Sequence, residues 1–185
     1  PRAGFALARQ LQRGDALPLG EIFRFLSGLY FRGKLAYADR FAQPPARARG
    51  SYVITTNRGL IPSDTPTTLD ELRAFAAVPI DALDARYRRP LLRTAQRLAA
   101  HKDCEFVLLG SISTGKYVDV LLEIFGERLL FPTDFVGRGD MSRGGLLLRS
   151  ARDGGELEYQ RVVGAIRRGR RPPKLEPLST QQPRT

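Results

Sequence analysis

EFVLLGSISTGKYVDVLLEIFGERLLF, residues 105–131, carries the reading of the fold. Glu105–Leu109 is a short apolar run and reads as a strand. Residues 110–117 (GSISTGKY) are bracketed by glycines and read as a loop. Val118–Phe125 places apolar residues at helical spacing, and Gly126 suits the position after the helix end. Arg128–Phe131 reads as a second strand. Strand, helix, strand in that order predicts an α/β fold with a parallel core and right-handed crossovers.

Upstream, Ser51–Thr56 (SYVITT) is a β-branched run ending in the turn residues Asn57-Arg58-Gly59. Residues 5–13 and 20–41 have helical periodicity, with a break expected near Gly28 or Gly33. Residues 43–50 (QPPARARG) read as a loop. Thr68-x-x-Glu71 is a capping box opening a helix over 69–77. Two further helices are expected over 80–88 and 91–101, with Pro90 in the first turn of the second. Downstream, residues 132–145 (PTDFVGRGDMSRGG) read as a glycine-rich loop. Leu146–Ala151 and Glu156–Val163 flank Asp153-Gly154-Gly155, which reads as a hairpin. The expected architecture is a single α/β domain over 1–164. It has a mostly parallel sheet, flanking helices and a C-terminal hairpin. A disordered, basic, Pro/Arg-rich tail is expected over 165–185.

Composition narrows the chemistry. The chain has 185 residues, one cysteine (Cys104) and one histidine (His101). No disulfide framework can form within it, and a Cys/His zinc site has too few ligands. No metal and no cofactor are expected. No apolar run approaches the roughly 18 residues of a membrane span. No basic-then-apolar leader opens the sequence, and the expected compartment is the cytoplasm. The net charge is +11, from 30 Lys and Arg against 19 Asp and Glu. That balance favours polyanionic partners through phosphate contacts. Only Lys34, Lys102, Lys116 and Lys174 are lysines, and GC-rich coding produces the same arginine skew without any function.

Three loops follow expected strands, where ligands bind in open α/β sheets. The first carries Asn57 and Arg58. The second carries Ser111, Ser113, Thr114, Lys116 and Tyr117, and fits G-x-x-x-x-G-K over Gly110–Lys116. Such glycines let backbone N–H groups ring a phosphate while the lysine reaches the anion. Tyr117 stands where a nucleoside triphosphatase needs Ser or Thr for magnesium. A tight turn capping the next helix explains the same letters. The third loop carries Arg138, Asp140 and Arg143, two arginines for an anion and one acid/base group. A mobile solvated loop is the alternative. If the three loops converge, Asn57, Arg58, Ser111, Ser113, Thr114, Lys116, Arg138 and Arg143 bind phosphate. Asp140 and Tyr117 then assist proton transfer. Residues 30–37 (YFRGKLAY) interleave Arg32 and Lys34 with aromatics, a pattern that holds bases and phosphates. Arg167, Arg168, Arg170 and Arg171 in the tail are further nucleic-acid contacts.

The order of landmarks, LYFRGKLAYA, ITTNRGL, Tyr87-Arg88-Arg89-Pro90, VLLGSISTGKY and LLFP with its glycine-rich loop, resembles the YaaA-like group of α/β proteins. The resemblance spans roughly residues 25–148. That group includes a peroxide-stress protein that binds DNA and domains associated with nucleic-acid base modification. The resemblance implies a pocket at Asn57, Arg58, Lys116, Tyr117 and the Arg138–Arg143 loop. The opening PRAGFALARQLQRGD has no Ser/Cys/Lys-rich turn of the kind those relatives carry.

The expected function is handling of nucleic acid or a nucleotide-like ligand, with an N-glycosidic bond as the candidate reacting bond. The alternatives are a non-enzymatic DNA/RNA-binding module and an enzyme of small phosphorylated metabolites. If the tail is the nucleic-acid element, removing residues 165–185 should abolish most oligonucleotide affinity. The slope of log affinity against log salt should become shallower. An unchanged slope in a salt-titrated binding assay discards that role.

Overall fold

A computed structural model describes residues 3–175. Helix α1 (Ala3–Gln12) leads into the two-residue strand β1 (Leu17–Pro18). Helices α2 (Leu19–Leu26) and α3 (Gly28–Phe41) are separated at Ser27, where Gly28 takes a positive φ. The expected break therefore falls at Gly28, and Gly33 stays inside α3. Strands β2 (Tyr52–Thr55) and β3 (Gly59–Pro62) form an antiparallel hairpin. Its turn is held by the Thr55 hydroxyl, which donates to the Gly59 carbonyl at 2.8 Å. β4 (Pro66–Thr67) pairs antiparallel with β1.

Helix α4 (Leu69–Ala76) starts with the capping box read from Thr68 and Glu71, and both reciprocal bonds are present. Helix α5 (Ala85–Ala99) runs straight through Pro90. Two separate helices over 80–88 and 91–101 were the expectation, and the helix instead begins after its N-cap Asp84. The reason is burial. Tyr87, Leu91 and Ala95 lie on one face and are completely buried. A large apolar side chain contributes about 1.5–3 kcal/mol when buried. Burial of Leu91, Ala95 and the Tyr87 ring works against the roughly 3 kcal/mol cost of an internal proline.

Strand β5 (Phe106–Val107), helix α6 (Gly115–Phe125) and strand β6 (Leu129–Pro132) form the expected parallel unit. Helix α7 (Asp140–Asp153) and strand β7 (Tyr159–Arg161) complete the described chain. The strand order of the main sheet is β5-β6-β7, and β7 lies antiparallel to β6. The fold is therefore mixed α and β, and its sheets are small. The expectation of a mostly parallel sheet is corrected: among the described residues one pairing is parallel and three are antiparallel, in three separate sheets.

The expected C-terminal hairpin is also replaced. Leu146–Ala151 belongs to α7, and so does the end of the supposed glycine-rich loop. A short apolar run such as Leu146-Leu147-Leu148 fits strand and helix equally by letter. Here Arg143, Leu147 and Ser150 are buried at helical spacing and decide it. Gly154 is the C-cap of α7, in the left-handed region with φ 79°, not the corner of a hairpin.

Two apolar cores result. The larger gathers Tyr87, Leu91 and Ala95 of α5, Val118, Leu121 and Phe125 of α6, Phe131, Phe135 and Leu147. The smaller joins Leu19, Val53, Ile61 and Phe75 under the β2–β3 hairpin. Thr94 links hairpin to helix: its hydroxyl donates to the Pro90 carbonyl and accepts from the Leu60 N–H, each at 2.8 Å.

Helices α3 and α7 run side by side in the same direction, Gly33 against Gly144 and Arg40 near Gly154. Contact is backbone to backbone. A methyl on Gly33 would overlap the Gly144 carbonyl, and one on Gly144 would lie 2.6 Å from the Tyr30 Cα. Farther along α3, a hydrogen-bonded chain joins it to the segment that follows α7. The Leu157 N–H donates to the Tyr37 hydroxyl at 3.0 Å, and the Tyr37 and Tyr159 hydroxyls meet at 2.5 Å. Tyr159 donates to Glu156 at 2.7 Å.

Overpacking this crossing should be costly. Gly33→Ala is expected to lower stability by about 1–3 kcal/mol or more. Gly155→Ala, with nothing within 4 Å of its would-be methyl, should change it by under about 0.5 kcal/mol. Chemical denaturation of both variants checks this, and equal losses would contradict the backbone contact.

Candidate functional site

Because α3 and α7 are parallel and touch at their early turns, their N-termini open toward the same place. Tyr30 and Lys34 come from the first turns of α3, and Asp140 and Arg143 from the first turn of α7. Tyr117 comes from the first turn of α6 and couples electrostatically to Arg143 and Asp140. Side chains from the early turns of three helices thus meet in one cluster. The loop after β5 closes it. The Tyr117 ring covers Gly110, whose absent methyl would sit 2.8 Å from the hydroxyl. The Ser111 and Ser113 hydroxyls are 3.2 Å apart beside it.

Arg143 is the centre of the cluster. It is 4% exposed, and its guanidinium lies 5.3 Å from the Phe135 ring centroid. Its nearest carboxylate oxygen is Asp140 Oδ1, at 3.8 Å, beyond hydrogen-bond distance. Nε and Nη1 are buried without a hydrogen-bond partner. The Tyr87 hydroxyl, on the α5 side of Tyr117, is buried and unpartnered too. Buried donors with no acceptor are rare because each carries a desolvation cost of about 1–3 kcal/mol.

Lys34 is half-buried, with Nζ 3.8 Å from the Tyr30 ring centroid. Burial lowers its pKa to about 8; the Asp140 carboxylate works against that shift and the Arg143 cation adds to it. Burial likewise pushes the Tyr30 hydroxyl far above its ordinary range, helped by Asp140 and opposed by Arg143. Tyr117 is raised by burial, with its bond to Ser111 pulling the other way. Burial beside Tyr117 raises Tyr87 to about 12. The tyrosines therefore remain neutral hydroxyls and can donate.

The residues read from the sequence divide. Ser111, Ser113, Tyr117, Asp140 and Arg143 come together, and Lys34 joins them although it was read as a nucleic-acid contact. Arg138 sits at the edge, donating to the Asp134 carbonyl at 2.9 Å and to Ser142 Oγ at 3.3 Å. Thr114 is the N-cap of α6 without a side-chain capping bond. Lys116 is exposed and makes no hydrogen bond or ion pair among the described residues. The G-x-x-x-x-G-K letters thus bring their serines to the cluster, not their lysine.

Asn57 and Arg58 lie elsewhere. The β2–β3 hairpin is a separate sheet, so the three loops do not share one edge. Asn57 Nδ2 donates to the Ala74 carbonyl at 3.0 Å, and Arg58 Nη1 bonds Glu71 Oε1 at 2.6 Å. Both fasten α4 to the hairpin. Arg32 is exposed on α3.

Of the basic segment 165–185, residues up to Leu175 fall within the described chain. That part has no helix or strand and crosses the loops beside the cluster. Arg167 pairs with Asp119 at 3.5 Å, and Arg168 Nη2 donates to the Ser113 carbonyl at 3.2 Å. The Arg170 carbonyl packs on Gly137. Arg170, Arg171 and Lys174 are exposed.

The surface also has an open groove of about 440 Å³ between α3 and α7, lined by Ala36, Asp39, Arg40, Leu148, Ala151 and Arg152. It holds none of the unpartnered buried atoms, and chemistry places the candidate site at Arg143. No group of three or more His, Cys, Asp or Glu side chains among the described residues is arranged to hold a metal. Among them, too, no helix is long and apolar enough to cross a membrane.

Sequence reasoning gave Tyr30 only as one of the aromatics of residues 30–37 and gave Tyr87 no role at the site. The available signal was Tyr30-x-x-Gly33-Lys34 on one helix and Gly144-Gly145 on another, glycines that helices keep for close approach. Compared with family models, curated proteins and solved structures, the chain matches none.

Lys34 makes stability depend on pH. Its pKa falls from 10.5 to about 8 on folding, so the unfolded chain binds more protons between those values. Stability therefore rises with pH across that window, by at most about 1.4 kcal/mol per unit. Tyrosines whose pKa folding raises oppose this only near pH 10 and above. Denaturant titrations from pH 8 to 9.5 should show the rise in the wild type and its loss in Lys34→Met. Parallel curves would remove Lys34 as the cause.

Proposed function

We propose that the protein handles a nucleotide or nucleic acid by taking a phosphate group against Arg143. The observation that carries this reading is the pair of unfilled donors, Nε and Nη1, on an arginine that is 4% exposed. Buried guanidinium N–H groups with no acceptor match the oxygens of a phosphate or carboxylate. The surroundings favour phosphate. Lys34 and the Ser111 and Ser113 hydroxyls supply positive charge and further donors. One exposed carboxylate, Asp140, sits at the rim.

The tyrosines Tyr30 and Tyr117 add neutral faces and hydroxyls suited to a sugar or base attached to that phosphate. The resemblance to YaaA-like proteins supports the same ligand class. As an enzyme, the protein would act at the N-glycosidic carbon, where Asp140 exchanges a proton and Tyr117 holds the sugar. The basic segment lying over the Ser113 loop, with Arg170 and Arg171 exposed, supports a longer polyanion reaching past the site.

Calorimetric titration with nucleoside 5′-monophosphates and with a short single-stranded oligonucleotide tests this reading. Arg143→Lys and the double change Ser111→Ala, Ser113→Ala should each weaken binding about tenfold or more, the scale of a charge-assisted contact. Arg58→Ala, at the other sheet, should bind as the wild type does. No binding by the wild type, or equal weakening by Arg58→Ala, overturns the assignment.

A further inference from the structure

We propose that Lys34 is an amine nucleophile that condenses with the aldehyde of a phosphorylated sugar, and so gives the Arg143 site a covalent chemistry of its own. The inference rests on the phosphate reading, since the phosphate on Arg143 is what presents the aldehyde to Lys34. Its own support is the choice and placement of the residue.

The chain has 26 arginines and four lysines. Lys102, Lys116 and Lys174 are exposed, and Lys34 alone is drawn inside. Among the described residues every ion pair is made by arginine, which keeps its proton at all relevant pH. A primary amine is needed where the proton must leave. Lys34 forms no ion pair or hydrogen bond among the described residues, and its Nζ lies over the Tyr30 ring.

The groups facing Lys34 come from its own helix and from α7: Tyr30, Arg143 and Asp140. Tyr117 of α6 couples to the same set. Of these, Arg143 and the positive helix ends disfavour an ammonium, and Asp140 is the only carboxylate. The arrangement is the one that activates a lysine amine, desolvated and set beside another cation. The downward shift of Lys34 agrees with it.

The step balances without a redox partner. The neutral Nζ lone pair attacks the aldehyde carbon, and the carbonyl oxygen takes up a proton from solvent to give a carbinolamine, so that the imine formed on loss of water is protonated. Asp140 accepts the proton released by nitrogen and returns one to the leaving hydroxyl. Water departs, and a C=N bond joins Lys34 to the sugar. Two sources share this chemistry: a free sugar phosphate in its open-chain form, and the ring-opened sugar of an abasic nucleotide in a strand. Tyr30 and Tyr117 remain neutral throughout.

The test is reductive trapping of the full chain with cyanoborohydride, followed by peptide mapping. Ribose 5-phosphate is the probe in one arm and an oligonucleotide with one abasic site in the other. Lys34 should be labelled at least tenfold faster than Lys102, Lys116 or Lys174. Inorganic phosphate should suppress that labelling, and unphosphorylated ribose should label poorly. The faster arm identifies the source. Lys34→Arg should abolish the adduct, and mapping of the wild type stands even if that variant fails to fold. Labelling at Lys34 no faster than at the exposed lysines overturns the inference. If ribose 5-phosphate still binds by calorimetry without an adduct, Lys34 fails and the phosphate reading stands. If it neither binds nor reacts, both fail.

Discussion

The structure depends on the contact between Gly33 and Gly144. With no side chain on either, two parallel helices approach until backbone meets backbone. Everything chemical follows from that distance. The early turns of α3 and α7 are superposed, so Lys34 and Arg143 become neighbours despite their charge. No sequence-local force would place two cations together in a half-dry space. The glycine crossing, backed by the large core around Leu147 and Phe135, supplies the energy that holds them there. The Tyr37–Tyr159–Glu156 chain ties the later part of α3 to the segment that follows α7.

The same geometry explains why the electrostatics are one-sided. Parallel helices point their N-termini together, whereas an antiparallel pair would cancel them. The first turn of α6 follows the loop after β5, a strand of the one parallel pairing among the described residues, where a strand-end rule applies. Asp140 is the single acid in the cluster and is exposed, so it moderates the field without filling the donors of Arg143.

The legible part of the fold was local. The Thr68–Glu71 capping box, the SYVITT strand with its turn and the strand–helix–strand unit were written in adjacent residues, and they formed. What was not legible depended on distant partners. Leu146–Ala151 is helical because its neighbours Arg143, Leu147 and Ser150 find a face to bury, a fact that the letters LLL do not contain. Pro90 sits within a helix because Tyr87 and Leu91 are buried on either side of it. The site was half legible for the same reason. Tyr117, Ser111, Asp140 and Arg143 follow the ends of strands or start helices near them. Lys34 belongs to a segment that meets them only through the glycine crossing, and Asn57 and Arg58 serve a second sheet that looked like the first.

The crossing also sets the order in which the molecule can be made. Residues 33 and 144 are joined late in any path that builds from neighbours outward, since the loop they close spans most of the chain. Contacts of such long range slow folding, and the entropy of closing that loop is lost before the contact repays it. The α5–α6 core and the β2–β3 hairpin can form from nearer partners. A partly folded chain can thus hold much of its helix and one of its cores while lacking the Lys34–Arg143 cluster altogether. An anion that needs both helices sees only the finished molecule and by mass action draws the population toward it.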